Sequence, residues 1–277
     1  FRLFLFFSPR HRGNLVAETS GMKLILKKPF DQWGERAFDK VRSLQGTVAR
    51  SLETRTTLRF ELEGGAYYAK YHKGGNVGEL LKNLLSLRMP VFSAKNEWKA
   101  IEHLHRHDVD TMTAVAYGYR GVAPLWTESF LITEELKNCI SLEDVLLKGI
   151  WKTLSVSERR DLVHLLAETV KKMHEAGVNH RDCYLCHFLW NREENRLYII
   201  DLHRSQIRAS VPHRWLLKDI ASLYFSSLSQ DIPATYFMRF AKVYGQDKLK
   251  DLLPSISKKV EKIQRHNRSL KEKRGFL

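Results

Sequence analysis

Three side chains in the middle of the chain, Asp182, His187 and Asp201, have the types and spacing that phosphoryl transfer needs. They lie in the run NHRDCYLCHFLWNREENRLYIID, residues 179–201. One carboxylate, Asp182, can orient an attacking hydroxyl and accept its proton. A second, Asp201, can hold a divalent cation against nucleotide phosphates, and His187 can complete that metal site. His180 and Arg181, immediately before Asp182, are the expected supports of the loop.

The order matches the protein-kinase signature: H-R-D, a metal-binding side chain five positions on, then an Asp after a β-hairpin. Three residues alone would be weak, but the flanking elements agree. Ser155-Val-Ser-Glu158 reads as a capping box, followed by Leu162, Leu165, Leu166, Val170 and Met173 at helical spacing. Ala176-Gly177 supplies a stop. Phe188–Trp190 and Leu197–Ile200 flank the polar turn Arg192–Asn195, which predicts a hairpin that delivers Asp201. Asp219, near the start of a helix predicted around Arg214–Phe225, is expected to hydrogen-bond the catalytic loop's backbone.

The N-terminal part should supply the phosphate-binding lysine. Leu58, Phe60 and Leu62 alternate with charged residues, Gly64-Gly65 turns the chain, and Tyr67–His72 alternates again, placing Lys70 inside a strand. The turn before this hairpin, Leu52–Thr57, has no glycine, so Thr54 and Arg55 are expected to contact the phosphates by side chain. Ser93 reads as an N-cap, and Glu97, Ile101 and Leu104 then share the inward face of a helix. Glu97 is thereby placed to pair with Lys70. Ser129–Glu135 reads as a strand running into a hinge, where Glu134–Leu136 would offer backbone groups to adenine. Ser141–Asp144 opens the next helix.

A formal charge of +15 and a sequence pI near 9.7 require an anionic partner. No zinc-finger spacing or RNA-binding strand motif is present, which favours an anionic acceptor over nucleic acid. Cys139, Cys183 and Cys186 are too few for a disulfide framework. Cys183-Tyr-Leu-Cys186-His187 formally matches a haem-attachment motif, but four ligands within eight residues are too compact for zinc, and buried loop residues are the plainer reading. Residues 1–21 read as an upstream-translated leader, with Met22 as the start of the domain. Glu79–Met89, with five leucines, reads as a packed helix. The tail, about 258–277, carries eight Lys/Arg against two Glu, a basic helix suited to solvent or to anionic lipid.

The blocks NHRDCYLCHFLW, IIDLHRSQIRASVPHRW with KDIASLYFSS, LETRTTLRFELEG with YYAKYHKG, and LLKNLLSLRMPVFSAKNEWKAI resemble the Gram-negative lipopolysaccharide core heptose kinases. The resemblance runs from about Met22 to the basic tail. It implies an α+β, protein-kinase-like fold with two lobes: a small antiparallel-sheet N-lobe with one or two helices (22–135) and a mainly helical C-lobe (136–277). It also implies phosphorylation of the first inner-core heptose from ATP with Mg²⁺, Mn²⁺ being an acceptable substitute for an imidazole-containing site. Lys70, Glu97, Thr54, Arg55, Glu134 and Leu136 would bind nucleotide, His187 and Asp201 the metal, and Asp182 would be catalytic. The implied partners are the anionic lipid A–core acceptor and acyl carrier protein, at the cytoplasmic face of the inner membrane. A Kdo kinase, or a weakly catalytic kinase-like binding module, would share the same core motifs.

Overall fold

The β-hairpin expected around Lys70 forms, with its turn one residue earlier than the glycine pair suggests. β4 (Arg55–Leu62) pairs with β5 (Gly65–His72) so that Leu62 already faces Gly65. The two turn residues are therefore Glu63 and Gly64, with φ of 48° and 77°. Positive φ at both central residues is what a two-residue hairpin needs to match the strand twist.

In the computed structural model the described residues are 15–19, 21–52, 55–73, 94–121, 127–228, 232–250 and 253–273. They form two compact units: the chain through Glu102 together with Met112–Leu136, and His103–Thr111 together with Lys137 onward.

The first unit is built on an antiparallel sheet of seven strands. They are β1 (Leu15–Thr19), β2 (Met22–Leu26), β3 (Thr47–Leu52), β4, β5, β6 (Ala114–Arg120) and β7 (Glu128–Glu134), in the order β1-β2-β6-β7-β5-β4-β3. Leu15–Thr19 falls within the segment expected to be a leader, yet it pairs along its length with β2 and buries Ala17. The apolar face of the sheet packs Leu24, Leu26, Phe60, Tyr67, Phe130 and Ile132 around Phe30, Trp33 and Phe38 from the segment that ends in α1 (Ala37–Arg42). Close-packed aromatics of this kind fix the register of the strands, because a one-residue slip would turn them outward. α2 (Lys95–His105) follows; Ser93, its expected cap, and the leucine-rich stretch 79–89 lie outside the described residues.

The second unit is mainly helical: α3 (Leu142–Leu147), α4 (Ile150–Thr153), α5 (Val156–Glu175), α6 (His213–Leu228), α7 (Ala234–Lys250) and α8 (Leu253–Lys273). α5 packs on α7 and α6 on α8. Both expected caps are present: Ser141 accepts from the Asp144 amide, and Ser155 and Glu158 form a reciprocal capping box. Leu162, Leu166, Val170 and Met173 are buried, as their spacing predicts. The basic tail is helical through Lys273, with Ile256 and Val260 buried. No helix among the described residues is long and apolar enough to cross a membrane.

Two small sheets frame the catalytic loop. β10 (Phe188–Asn191) and β11 (Arg196–Ile199) form the predicted hairpin, with β8 (Cys139–Ser141) beside β10. β9 (Val178–Asn179) pairs with β12 (Gln206–Ile207). Gly177, at the end of α5, has φ of 76°, and a Cβ there would lie 2.0 Å from the Arg208 carbonyl oxygen. Only glycine lets the chain leave α5 and enter β9 this close to the returning strand.

The capping box generates a pH prediction. The Ser155 amide, and then Arg192, hold the Glu158 carboxyl down from 4.5 to about 2. A carboxyl depressed on folding stabilises above its unfolded value and loses that contribution as pH falls through its folded value. The stability gap between the wild type and Glu158→Gln should be constant above about pH 5 and close toward pH 2, as read by urea unfolding at a series of pH values.

Candidate active site

The first unit holds the lysine. Lys70 sits on β5 opposite Thr57 of β4 and Leu131 of β7, so strands flank it on both sides. Its Nζ donates to Glu97 Oε1 at 2.6 Å. Glu97 lies on the buried face of α2 with Ile101 and Leu104, as predicted, and is fully shielded from solvent. The other carboxylate oxygen, Oε2, is buried with no hydrogen-bond partner among the described residues. A buried carboxylate held by one cation is stable only while that cation stays, which fixes Lys70 in an extended pose.

Arg55 is the first residue of β4, paired with Leu52 and His72, while Thr54 lies outside the described residues. In the expected hinge, the Glu134 and Glu135 amides donate to the carbonyls of Thr113 and Ala66. Neither amide is available to an adenine, so the expected contact narrows to the Leu136 amide and to carbonyl groups. Arg59 grips the Glu135 carboxylate through Nε and Nη2 at 2.6 and 2.8 Å, a bidentate brace that the sequence reading missed.

The second unit holds the loop that carries Asp182, and its anchor is Asp219. This carboxylate is wholly buried on α6 and accepts from the amides of His180 (2.7 Å) and Arg181 (2.9 Å). His174 of α5 approaches the same carboxylate at 3.4 Å and is braced by the Tyr244 hydroxyl. Lys218 donates to the Arg181 carbonyl, and the Ser226 hydroxyl accepts from the Leu185 amide. The His180 ring bonds the Ile200 carbonyl at 2.9 Å. Burial pushes His180 below its ordinary value and His187 adds to this, so the ring stays neutral.

Held in this way, the loop presents Asp182 to Arg204, whose Nη1 bonds both carboxylate oxygens at 2.9 and 3.0 Å. Arg204 is the second residue missed from the sequence, since the contact crosses 22 positions with no periodic signal. The His187 ring stacks on His180 at 5.3 Å, and its Nδ1 lies 2.7 Å from the Asp182 carbonyl. A carbonyl only accepts, so Nδ1 carries the proton. Nε2 lies 3.6 Å from Asp201 Oδ2. Asp201 adopts left-handed φ (60°), and its Oδ1 bonds His203 at 2.7 Å.

Among the described residues no group of three or more His, Cys, Asp or Glu is arranged to hold a metal. The His187–Asp201 pair fits a nucleotide-borne cation nonetheless, because such a cation takes most of its shell from phosphates and water. The cysteines do not compete: burial raises Cys183, and raises Cys186 to about 11, so both are thiols, not metal-binding thiolates.

Comparison with known proteins agrees with this geometry. The profile of the lipopolysaccharide kinase (Kdo/WaaP) family matches residues 39–244. The chain belongs to that family. The lipopolysaccharide core heptose(I) kinase WaaP of Escherichia coli is 48% identical over 236 residues, 82% of this chain and 89% of that protein. Its namesake from Pseudomonas aeruginosa is 45% identical over 242 residues, 84% and 90% of the two chains. A solved structure, WaaP in complex with acyl carrier protein, superposes with a TM-score of 0.72 at 39% identity, covering 86% of this chain and 98% of that one. The architecture is α+β and kinase-like, as family membership requires.

The Lys70–Glu97 pair gives the prediction for this site. Glu97→Ala removes a buried partner of the Lys70 ammonium, and removing one member of such a pair costs about 3–5 kcal/mol. Urea denaturation should show that loss, and a change below about 1 kcal/mol would mean that the pair behaves as a surface contact.

Proposed function

We propose that this protein transfers the γ-phosphate of ATP to the first heptose of the lipopolysaccharide inner core. The observation that carries the reading is the 45–48% identity, over more than four-fifths of the chain, to proteins named as heptose(I) kinases. The roles of individual residues are inferred from their chemistry.

Lys70, held by Glu97, binds the α- and β-phosphates, and Arg55 with Thr54 adds contacts at the phosphates. The hinge at Glu134–Leu136 meets the adenine. Asp182 orients the heptose hydroxyl: Arg204 fixes its carboxylate, while the remaining lone pairs stay open to a hydroxyl donor. Because the transition state for phosphoryl transfer is loose, orientation matters more than early proton removal, and Asp182 takes the proton late. Arg204 remains beside the reacting oxygen as a fixed positive charge. His187 and Asp201 would hold Mg²⁺, or Mn²⁺ given the imidazole, and the ion supplies neutralisation of phosphate charge. Asp219, His180 and Arg181 keep the loop in place.

The charge of +15 suits an acceptor that is already polyanionic and a site at the anionic cytoplasmic face of the inner membrane. It also suits acyl carrier protein, the small acidic partner named in the related structure, as a partner here.

The test is phosphate transfer from γ-labelled ATP to inner-core lipopolysaccharide lacking its heptose phosphate. Wild type should label the first heptose, and Asp182→Asn should lower turnover at least about 1,000-fold while still binding ATP. Label on Kdo would move the acceptor, and near-normal turnover in the variant would remove Asp182 from the mechanism.

A further inference from the structure

In the second unit, four cations converge on one indole. The charged groups of Arg181, Arg208, Arg214 and Lys218 lie 5.1, 5.7, 5.3 and 5.8 Å from the Trp215 ring centroid. Any two of these charges are therefore within about 12 Å of each other, close to the screening length of physiological salt. Arg204 adds a fifth positive charge, since its repulsion lowers both Arg181 and Lys218 after the larger effect of burial.

Among the described residues the cations lack ion-pair partners of their own. The two carboxylates that act on the cluster are Asp182 and Asp219. Asp182 is taken by Arg204, and Asp219 by two backbone amides and His174. Among the described residues, none of the four cations around Trp215 forms an ion pair. Arg208 bonds only the neutral Asn179 and Gln206 side chains, and Lys218 only a carbonyl. Arg181 Nε and Trp215 Nε1 are buried donors with no acceptor. α6 begins here with His213 and Arg214, and its first turn has no acidic residue, although a helix N-terminus favours negative charge. Donors and positive charge are in surplus, and acceptors are missing.

Arg181, Arg208 and Lys218 are half-buried, while Arg214 is exposed; half-buried cations without ionic partners are unfavourable, and cation–π attraction of about 0.5–2 kcal/mol each offsets that only in part. An acceptor-only ligand with negative charge satisfies every element of this surplus. We propose that the Trp215 cluster binds an oxyanion, a carboxylate or phosphate, carried by the acceptor close to the hydroxyl that Asp182 orients. The site lies one residue from Asp182 in sequence and shares Arg181 with the catalytic loop. It would select acceptors already bearing an acidic group and set their distance from the reacting carboxylate. The proposal rests on the heptose-kinase reading for the identity of the acceptor, not for the chemistry of the site.

The experiment compares wild type, Arg214→Gln, Arg214→Lys and Arg208→Gln/Arg214→Gln at fixed ionic strength. Transfer kinetics on inner-core glycolipid should show the KM for glycolipid rising roughly ten-fold per cation removed, the scale of one charge-assisted hydrogen bond. The KM for ATP should move less than about two-fold, and Arg214→Lys should recover part of the loss. A rise confined to the KM for ATP would overturn the acceptor assignment and give the site to the donor's phosphates. Unchanged KM values for both substrates would overturn the site itself.

A second arm needs no turnover. Inorganic phosphate should raise the melting temperature of wild type more than of the double variant, with chloride at equal ionic strength as the reference. If wild type transfers nothing to the glycolipid, the heptose reading fails, and this arm still decides the cluster. Equal phosphate shifts in both proteins would overturn it.

Discussion

The second unit depends on one buried carboxylate. Asp219 is fully removed from water, and its carboxylate accepts from two main-chain amides with a histidine beside it. The same bonds decide where His180 and Arg181 sit, and so where Asp182 begins. Arg181 is forced into positive φ (72°), which a non-glycine residue adopts only when its surroundings over-determine it. Asp219 supplies that determination, while Gly177 and the β9–β12 pairing bring the return strand against the loop. The geometry of the Asp182 loop is thus set by hydrogen bonds to backbone, which a change in loop side chains would leave intact.

Charge is handled differently at three places. Lys70 and Glu97 form a buried pair inside the first unit. Asp182 and Arg204 form an open pair, with half of the carboxylate's hydrogen-bonding capacity left for a hydroxyl. Around Trp215, among the described residues, the cations form no ion pair, although Asp182 and Asp219 act on Arg181 and Lys218. The net positive charge of the chain is therefore more than a surface property, because part of it is gathered near Asp182.

Much of this was legible in the sequence, for local reasons. The capping box at Ser155–Glu158, the hairpin before Asp201 and the inward face carrying Glu97 all follow from short-range spacing, and each forms. The kinase-like architecture followed from motif order. Contacts between distant residues were not legible. Arg204 reaches Asp182 across a hairpin, Arg59 reaches Glu135 across three strands' worth of chain, and neither has a periodic signature. The turn at Glu63-Gly64 was misplaced by one residue, because two adjacent glycines conceal which of them pairs. Leu15–Thr19 read as part of a leader because it precedes Met22, yet it pairs with β2 and buries Ala17.

The central claim is that Asp219 fixes the catalytic loop through the His180 and Arg181 amides. Amide hydrogen exchange, resolved at those two residues in wild type and Asp219→Ala, tests it most directly. Each bond to a carboxylate contributes about 1.5–3 kcal/mol, so exchange at both amides should accelerate by roughly ten-fold or more, with α5 protection retained. Unchanged protection at His180 and Arg181 in the variant would contradict the account, because the loop would then be held by something other than Asp219.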